Sequence, residues 1–164
     1  MGVSVIPVPS AGGGGKIPKV ASFKSSGTWT VPDGVTYAVA YVRGGGGASG
    51  YGGGGDGGSS SVAFSSTVTA NGGFKCIIDG SSNQLLASRA GADNSGQGAT
   101  ITGSRVDISW NSSGSAFGGD GALITAGSTV TPGAGITVTV GAGGTAGTGG
   151  AAGGSGYVYI EYYE

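Results

Sequence analysis

From Gly141 to Gly156 a glycine recurs at every third position: Gly141, Gly144, Gly147, Gly150, Gly153 and Gly156. A period of three is neither the alternation of a strand nor the 3.6 of a helix. It is the repeat of the extended polyproline II spiral. If fully regular, this tract would reach roughly 50 Å at about 3.1 Å per residue. A glycine on every turn strips one side of the spiral of side chains, so a neighbouring backbone can approach within N–H···O and Cα–H···O distance. A second tract, 44–58, keeps the phase at Gly44, Gly47, Gly50 and Gly53 until Asp56 interrupts it. The tracts are either spirals stacked side by side or flexible linkers. Collagen-like winding would require far more proline than the 5 present.

Glycine and proline make up about 28% of the chain, a level often met in disordered sequences. Such sequences are usually charged and poor in β-branched residues. Here only 9% of residues are charged, and Val, Ile, Thr and Tyr come in short runs. The length, 164 residues, suits one domain with a real core. Net charge is −1 and no basic cluster exists, which argues against nucleic acid as a partner. No apolar run reaches the length of a membrane span. Residues 1–11 lack a positive start and contain Pro7 and Pro9, unlike a secretory signal. Cys76 is the only cysteine and reads as a small core hydrophobe in Phe74-Lys75-Cys76-Ile77-Ile78.

Residues 1–20 read as an extended attachment arm carrying Val3, Val5, Ile6 and Val8 and a glycine joint at 12–15. Such an arm docks by adding a strand to a neighbour; the alternative is a frayed terminus. Residues 21–164 read as one β domain. Thr28–Val31 is a strand stopped by the turn Pro32-Asp33-Gly34. Thr36–Arg43 alternates Tyr37, Val39 and Tyr41 against Ala38, Ala40 and Val42, as in a central strand covered on both faces. Ser61–Thr69 puts Val62, Phe64 and Val68 on one face. Asn71-Gly72 predicts a turn with Phe74–Ile78 as the return strand. Arg105–Trp110, Ile136–Val140 and Tyr157–Tyr163 are further strands. No window carries a capped helical repeat. The pattern predicts an all-β fold: an antiparallel β-sandwich or jelly-roll-like domain with long glycine-rich, polyproline II-like loops. Strands 36–43 and 136–140 run straight into glycine tracts, so the sheet launches the tracts from one end. Ala48, Tyr51 and Asp56 are expected to be exposed there, and Tyr51, Asp56, Phe117 and Asp120 are the candidate binding loops.

The chain has no histidine, which removes the commonest general base and metal ligand. Ser-His-Asp and Cys-His catalysis cannot be built, and no zinc spacing or phosphate loop exists. Asp33, Asp56, Asp79, Asp93, Asp107 and Asp120 mostly sit beside Gly, Asn or Ser, the setting of turn formers rather than of a paired-carboxylate site. Asn111-Ser112-Ser113 has the form of a glycosylation acceptor without the secretory context. The expectation is a non-enzyme with no cofactor and no metal.

Four segments in order resemble the glycine-rich domain of phage tail and fibre proteins. They are Phe23-Lys-Ser-Ser-Gly-Thr-Trp-Thr-Val-Pro-Asp-Gly-Val-Thr36, then Tyr-Val-Arg-Gly-Gly-Gly-Gly at 41–47 with Gly-Gly-Gly-Gly-Asp-Gly-Gly at 52–58. Thr129-Val-Thr-Pro-Gly-Ala-Gly-Ile-Thr-Val-Thr-Val-Gly-Ala-Gly-Gly144 and the ending Gly154-Ser-Gly-Tyr-Val-Tyr-Ile-Glu-Tyr162 complete the set. The likeness spans about residues 23–164, and tract composition is also similar to phage tail-tip adhesins with stacked polyglycine helices. The resemblance implies a virion surface protein, assembled in the host cytoplasm, with its loops presented outwards. Its partners would be other virion proteins through residues 1–20, and a host cell-surface glycan or outer-membrane protein. A tail-fibre or adhesin role leads; capsid decoration, a head fibre or a bacterial surface or matrix protein are the alternatives. A homotrimer is expected from the symmetry of fibres and capsid sites.

Overall fold

The computed structural model describes residues 16–49, 54–75, 77–78, 85–87, 100–101 and 118–164. Its strands are β1 (Pro18–Phe23), β2 (Gly27–Thr30), β3 (Tyr37–Arg43), β4 (Ser60–Ala63), β5 (Thr67–Ala70), β6 (Ile77–Ile78), β7 (Leu85–Ala87), β8 (Thr100–Ile101), β9 (Leu123–Thr129), β10 (Gly135–Thr139) and β11 (Tyr157–Tyr163). One sheet has the order β1-β11-β3-β9-β8 and a second the order β2-β10-β4-β5, with β6-β7 as a separate pair. Every pairing is antiparallel. The fold is all-β, as the residue pattern predicts.

Alternation decides which faces meet. Ala38, Ala40 and Val42 on β3, Val158 and Ile160 on β11, and Ile124 and Ala126 on β9 form the inner face of the first sheet. Trp29 on β2, Ile136 and Val138 on β10, Val62 on β4 and Val68 on β5 form that of the second. These residues are buried together in one core, the sandwich-like solution open to two sheets with one apolar face each. Trp29 stacks on Tyr162 across it, ring centroids 5.3 Å apart. The turn at Pro32-Asp33-Gly34 forms as expected, with Gly34 at φ 76°, a conformation that disfavours any side chain.

Four sequence expectations change. Residues 17–20, assigned to the arm, join the first sheet: Pro18 pairs with Tyr163, and Ile17 exchanges both backbone hydrogen bonds with Glu164. β9 was not expected, because its apolar residues are diluted by Gly127, Ser128 and Thr129. The single strand 61–69 is a hairpin, β4 and β5 joined through Phe64-Ser65-Ser66. Val62 pairs with Val68, so both keep the inward phase that suggested one strand. Asn71-Gly72 is no hairpin turn: the Asn71 carbonyl accepts from the Ala122 N–H at 2.8 Å, and the segment runs on extended. The strand expected at 105–110 and the arm residues Val3, Val5, Ile6 and Val8 lie outside the described residues, as does Cys76.

Six strands open at the same end into glycine segments. β3, β5 and β10 lead out into 44–49, 71–75 and 141–147; 54–59, 118–122 and 151–156 lead back into β4, β9 and β11. The launching of tracts from one end of the sheets is therefore as the sequence indicates. The regular tract 141–156 differs in one respect: it reverses near Gly149, at φ 67°, and returns beside itself. The Gly153 N–H donates to the Gly144 carbonyl and that of Gly156 to Gly141. Folding back halves the reach of a straight spiral and pairs its backbone groups.

Candidate functional site

The glycine segments form a bundle with 44–49 at its centre. Its N–H groups address three neighbours in rotation. Gly44 and Gly47 donate to Ala122 and Gly119, Gly45 and Ala48 to Gly58 and Gly55, and Gly46 and Ser49 to Gly154 and Ala151. A direction that recurs every third residue is the signature of a threefold spiral. Carbonyls of the same segment accept from the other two neighbours: Gly45 from Gly73, Gly46 from Gly144 and Ser49 from Gly147. The outgoing segments run parallel to the centre and the returning ones antiparallel, as their parent strands require.

At many of its glycines the packing leaves no room for a side chain. A methyl on Gly73 would land on the Gly119 carbonyl, one on Gly143 on that of Gly153, and one on Gly45 on that of Ala142. Ala48 corrects an expectation: it is buried, with its methyl held over Gly54. The central spiral has neighbours all round it, so the methyl is enclosed by them. The join between sheets and bundle is fixed by Ser60, whose buried hydroxyl accepts from the Gly141 N–H at 2.9 Å.

The candidate loop residues separate. Asp56 is exposed on a returning segment, and its carboxylate accepts from the Lys75 N–H at 2.7 Å. Asp120 is half-buried and pairs with Arg43 at 3.2 Å, at the end of β3. Both carboxylates thus brace the bundle. Tyr51 and Phe117 lie outside the described residues. Among the described residues no group of three Cys, Asp or Glu side chains is arranged to hold a metal ion. None of them forms a helix long and apolar enough to cross a membrane. A shallow cavity of about 220 Å³ lies between the β4–β5 hairpin and β9, lined by Phe64, Ser65, Val68, Ala126 and Ser128. It is smaller than the roughly 300 Å³ at which small-molecule pockets begin.

No family model, curated protein or solved structure matches this chain. Functional reasoning therefore rests on its own geometry. One surface escaped sequence reasoning: the outer face of the first sheet. Tyr37, Val39 and Tyr41 do not lie under a second layer of described elements; Tyr37 is 56% exposed. Tyr157, Tyr159 and Tyr163 on β11 share that face, because β11 pairs with β3 in register, Tyr41 opposite Tyr159. The available signal was the matching alternation of tyrosines in two strands. Between them Glu161 accepts from the Tyr41 hydroxyl at 3.2 Å and from that of Tyr163 at 3.3 Å. The Glu161 charge opposes a phenolate beside it, and its hydrogen bond favours the phenol. Both raise the Tyr41 pKa above its ordinary value.

Proposed function

We propose that this chain is a non-enzymatic virion surface protein of a phage, a tail-fibre or adhesin component that presents its glycine bundle to the host surface. The observation that carries the reading is polarity. β1 begins at the Tyr163 end of β11, whereas the bundle continues from the Tyr157 end. A chain arriving from residues 1–15 therefore enters at one end of the sheets, and the bundle projects from the other. Attachment and presentation are separated by the length of a strand, about 20 Å. Ile17 and Val20, both more than half exposed, lie on opposite faces of this edge segment, whose backbone offers another virion protein a strand to pair with.

A rigid backbone lattice also suits presentation. Loops held between hydrogen-bonded segments lose less freedom on binding than loops on a flexible stalk. Tyr51 lies in the connection between 44–49 and 54–59 and is the first residue to vary in host-binding assays, with Phe117 next. Immunogold labelling of a tagged copy on intact particles tests the placement. Label at the tail end is the expected result. Label over the head assigns capsid decoration instead, and particles without label overturn the reading.

A further inference from the structure

We infer that the tyrosine face of the first sheet is a binding surface for a neutral oligosaccharide. The five rings of Tyr37, Tyr41, Tyr157, Tyr159 and Tyr163 lie on two adjacent strands, with Glu161 among them. Tyr157 and Tyr159 are neighbours along β11, ring centroids 4.9 Å apart. Tyr37 reaches over β9 at Gly127, where a methyl would collide with its hydroxyl. The missing side chain lets that ring extend the platform sideways. Along β11 the run from Tyr157 to Tyr163 spans roughly 20 Å, long enough for a short chain of sugars rather than one.

Charge selects among occupants. Glu161 is the acidic group on this face, and each of its oxygens receives one phenol hydroxyl. Arg43, at the bundle end of the same face, is paired with Asp120. Among the described residues of this face, a polyanion such as nucleic acid or an acidic glycan finds no guanidinium without a carboxylate partner, and it meets Glu161. An apolar protein partner would take the Glu161 carboxylate and the phenol hydroxyls away from water without offering polar groups in exchange. A neutral sugar satisfies both kinds of group. Its C–H faces lie on the rings, and its hydroxyls donate to Glu161 and exchange hydrogen bonds with the phenols. The inference concerns a surface separate from the bundle and holds whether or not the chain belongs to a virion.

The test is binding of the whole purified protein to a printed array of neutral hexose and N-acetylhexosamine oligosaccharides, with sialylated ones as acidic controls. Neutral spots should bind, and Tyr159→Ala and Tyr41→Ala should each weaken them at least tenfold. Glu161→Gln, which keeps the shape, should weaken them less. Thermal unfolding identifies any variant that fails to fold, in which case Tyr41→Phe and Glu161→Gln carry the test. No signal on neutral spots, preference for the acidic ones, or signal unchanged in every face variant overturns the inference. Loss on Tyr51→Ala or Phe117→Ala but not on Tyr159→Ala would move glycan binding to the loops, overturning this inference while supporting the presentation proposal.

Discussion

The sheets and the glycine bundle are continuous in the chain yet held together by opposite means. In the sheets, apolar side chains such as Ile124, Ile160 and Val42 are buried and the stabilisation comes from removing them from water. In the bundle few side chains contribute, and neighbouring segments are joined by backbone hydrogen bonds of about 2.8–3.0 Å. Each such bond contributes only about 0.5–1.5 kcal/mol net, while ordering each residue costs about 1–2 kcal/mol of backbone entropy. Close packing of backbone on backbone, and anchorage of every segment to a core strand, make up the difference. The sheets depend on side-chain volume, which is adjustable. The bundle depends on side-chain absence, which is not.

That contrast can be broken most sharply at Gly73. Gly73→Ala should cost more than about 3 kcal/mol, because the carbonyl it strikes belongs to Gly119, itself held by Gly47 and Phe74. Chemical denaturation measures the loss; a drop under about 1 kcal/mol would mean the lattice yields easily. At Gly150, which is exposed at the reversal, valine should be nearly silent. Ile124→Ala in the sheet core should cost about 2–5 kcal/mol by the same measurement. Ser60→Ala sits at the junction and should cost about 1–3 kcal/mol, since the Gly141 N–H loses its acceptor in a buried place. Hydrogen exchange should then accelerate first at Gly141. Arg43→Ala removes a partly exposed ion pair and should change stability by less than about 1 kcal/mol.

The smallest effect is expected from pH. Tyr41 has a folded pKa raised above 10.0, chiefly by the Glu161 charge. The unfolded chain therefore loses this proton first. The contribution is complete below pH 10.0 and declines as pH rises through the folded value. Thermal midpoints from neutrality into this alkaline range should fall less steeply in Tyr41→Phe than in the parent.

Much of the fold was legible because strand alternation is a local signal. The alternation of 36–43, 136–140 and 157–163 marked them as strands, and Pro32-Asp33-Gly34 gave its turn; which face of 36–43 and 157–163 turns inward was not legible, because both carry apolar or aromatic residues on either face. β9 was hidden by small residues whose burial is set by their neighbours. The hairpin β4–β5 was hidden because its two halves share one phase. Of the candidate loop residues, Asp56 and Asp120 could be recognised as exposed or polar positions, but their partners, Lys75 and Arg43, lie far along the chain.

The sequence by itself determined that the glycine tracts carry a period of three, which both stacked spirals and flexible linkers allow. It also determined where several of the strands run, through their alternation. Tertiary structure alone decided that 44–49 is the centre, that Ala48 is buried, and that tyrosines of β3 and β11 share one open face. Those outcomes depend on which segments become neighbours, and neighbours separated by more than a hundred residues leave no local trace in composition or period.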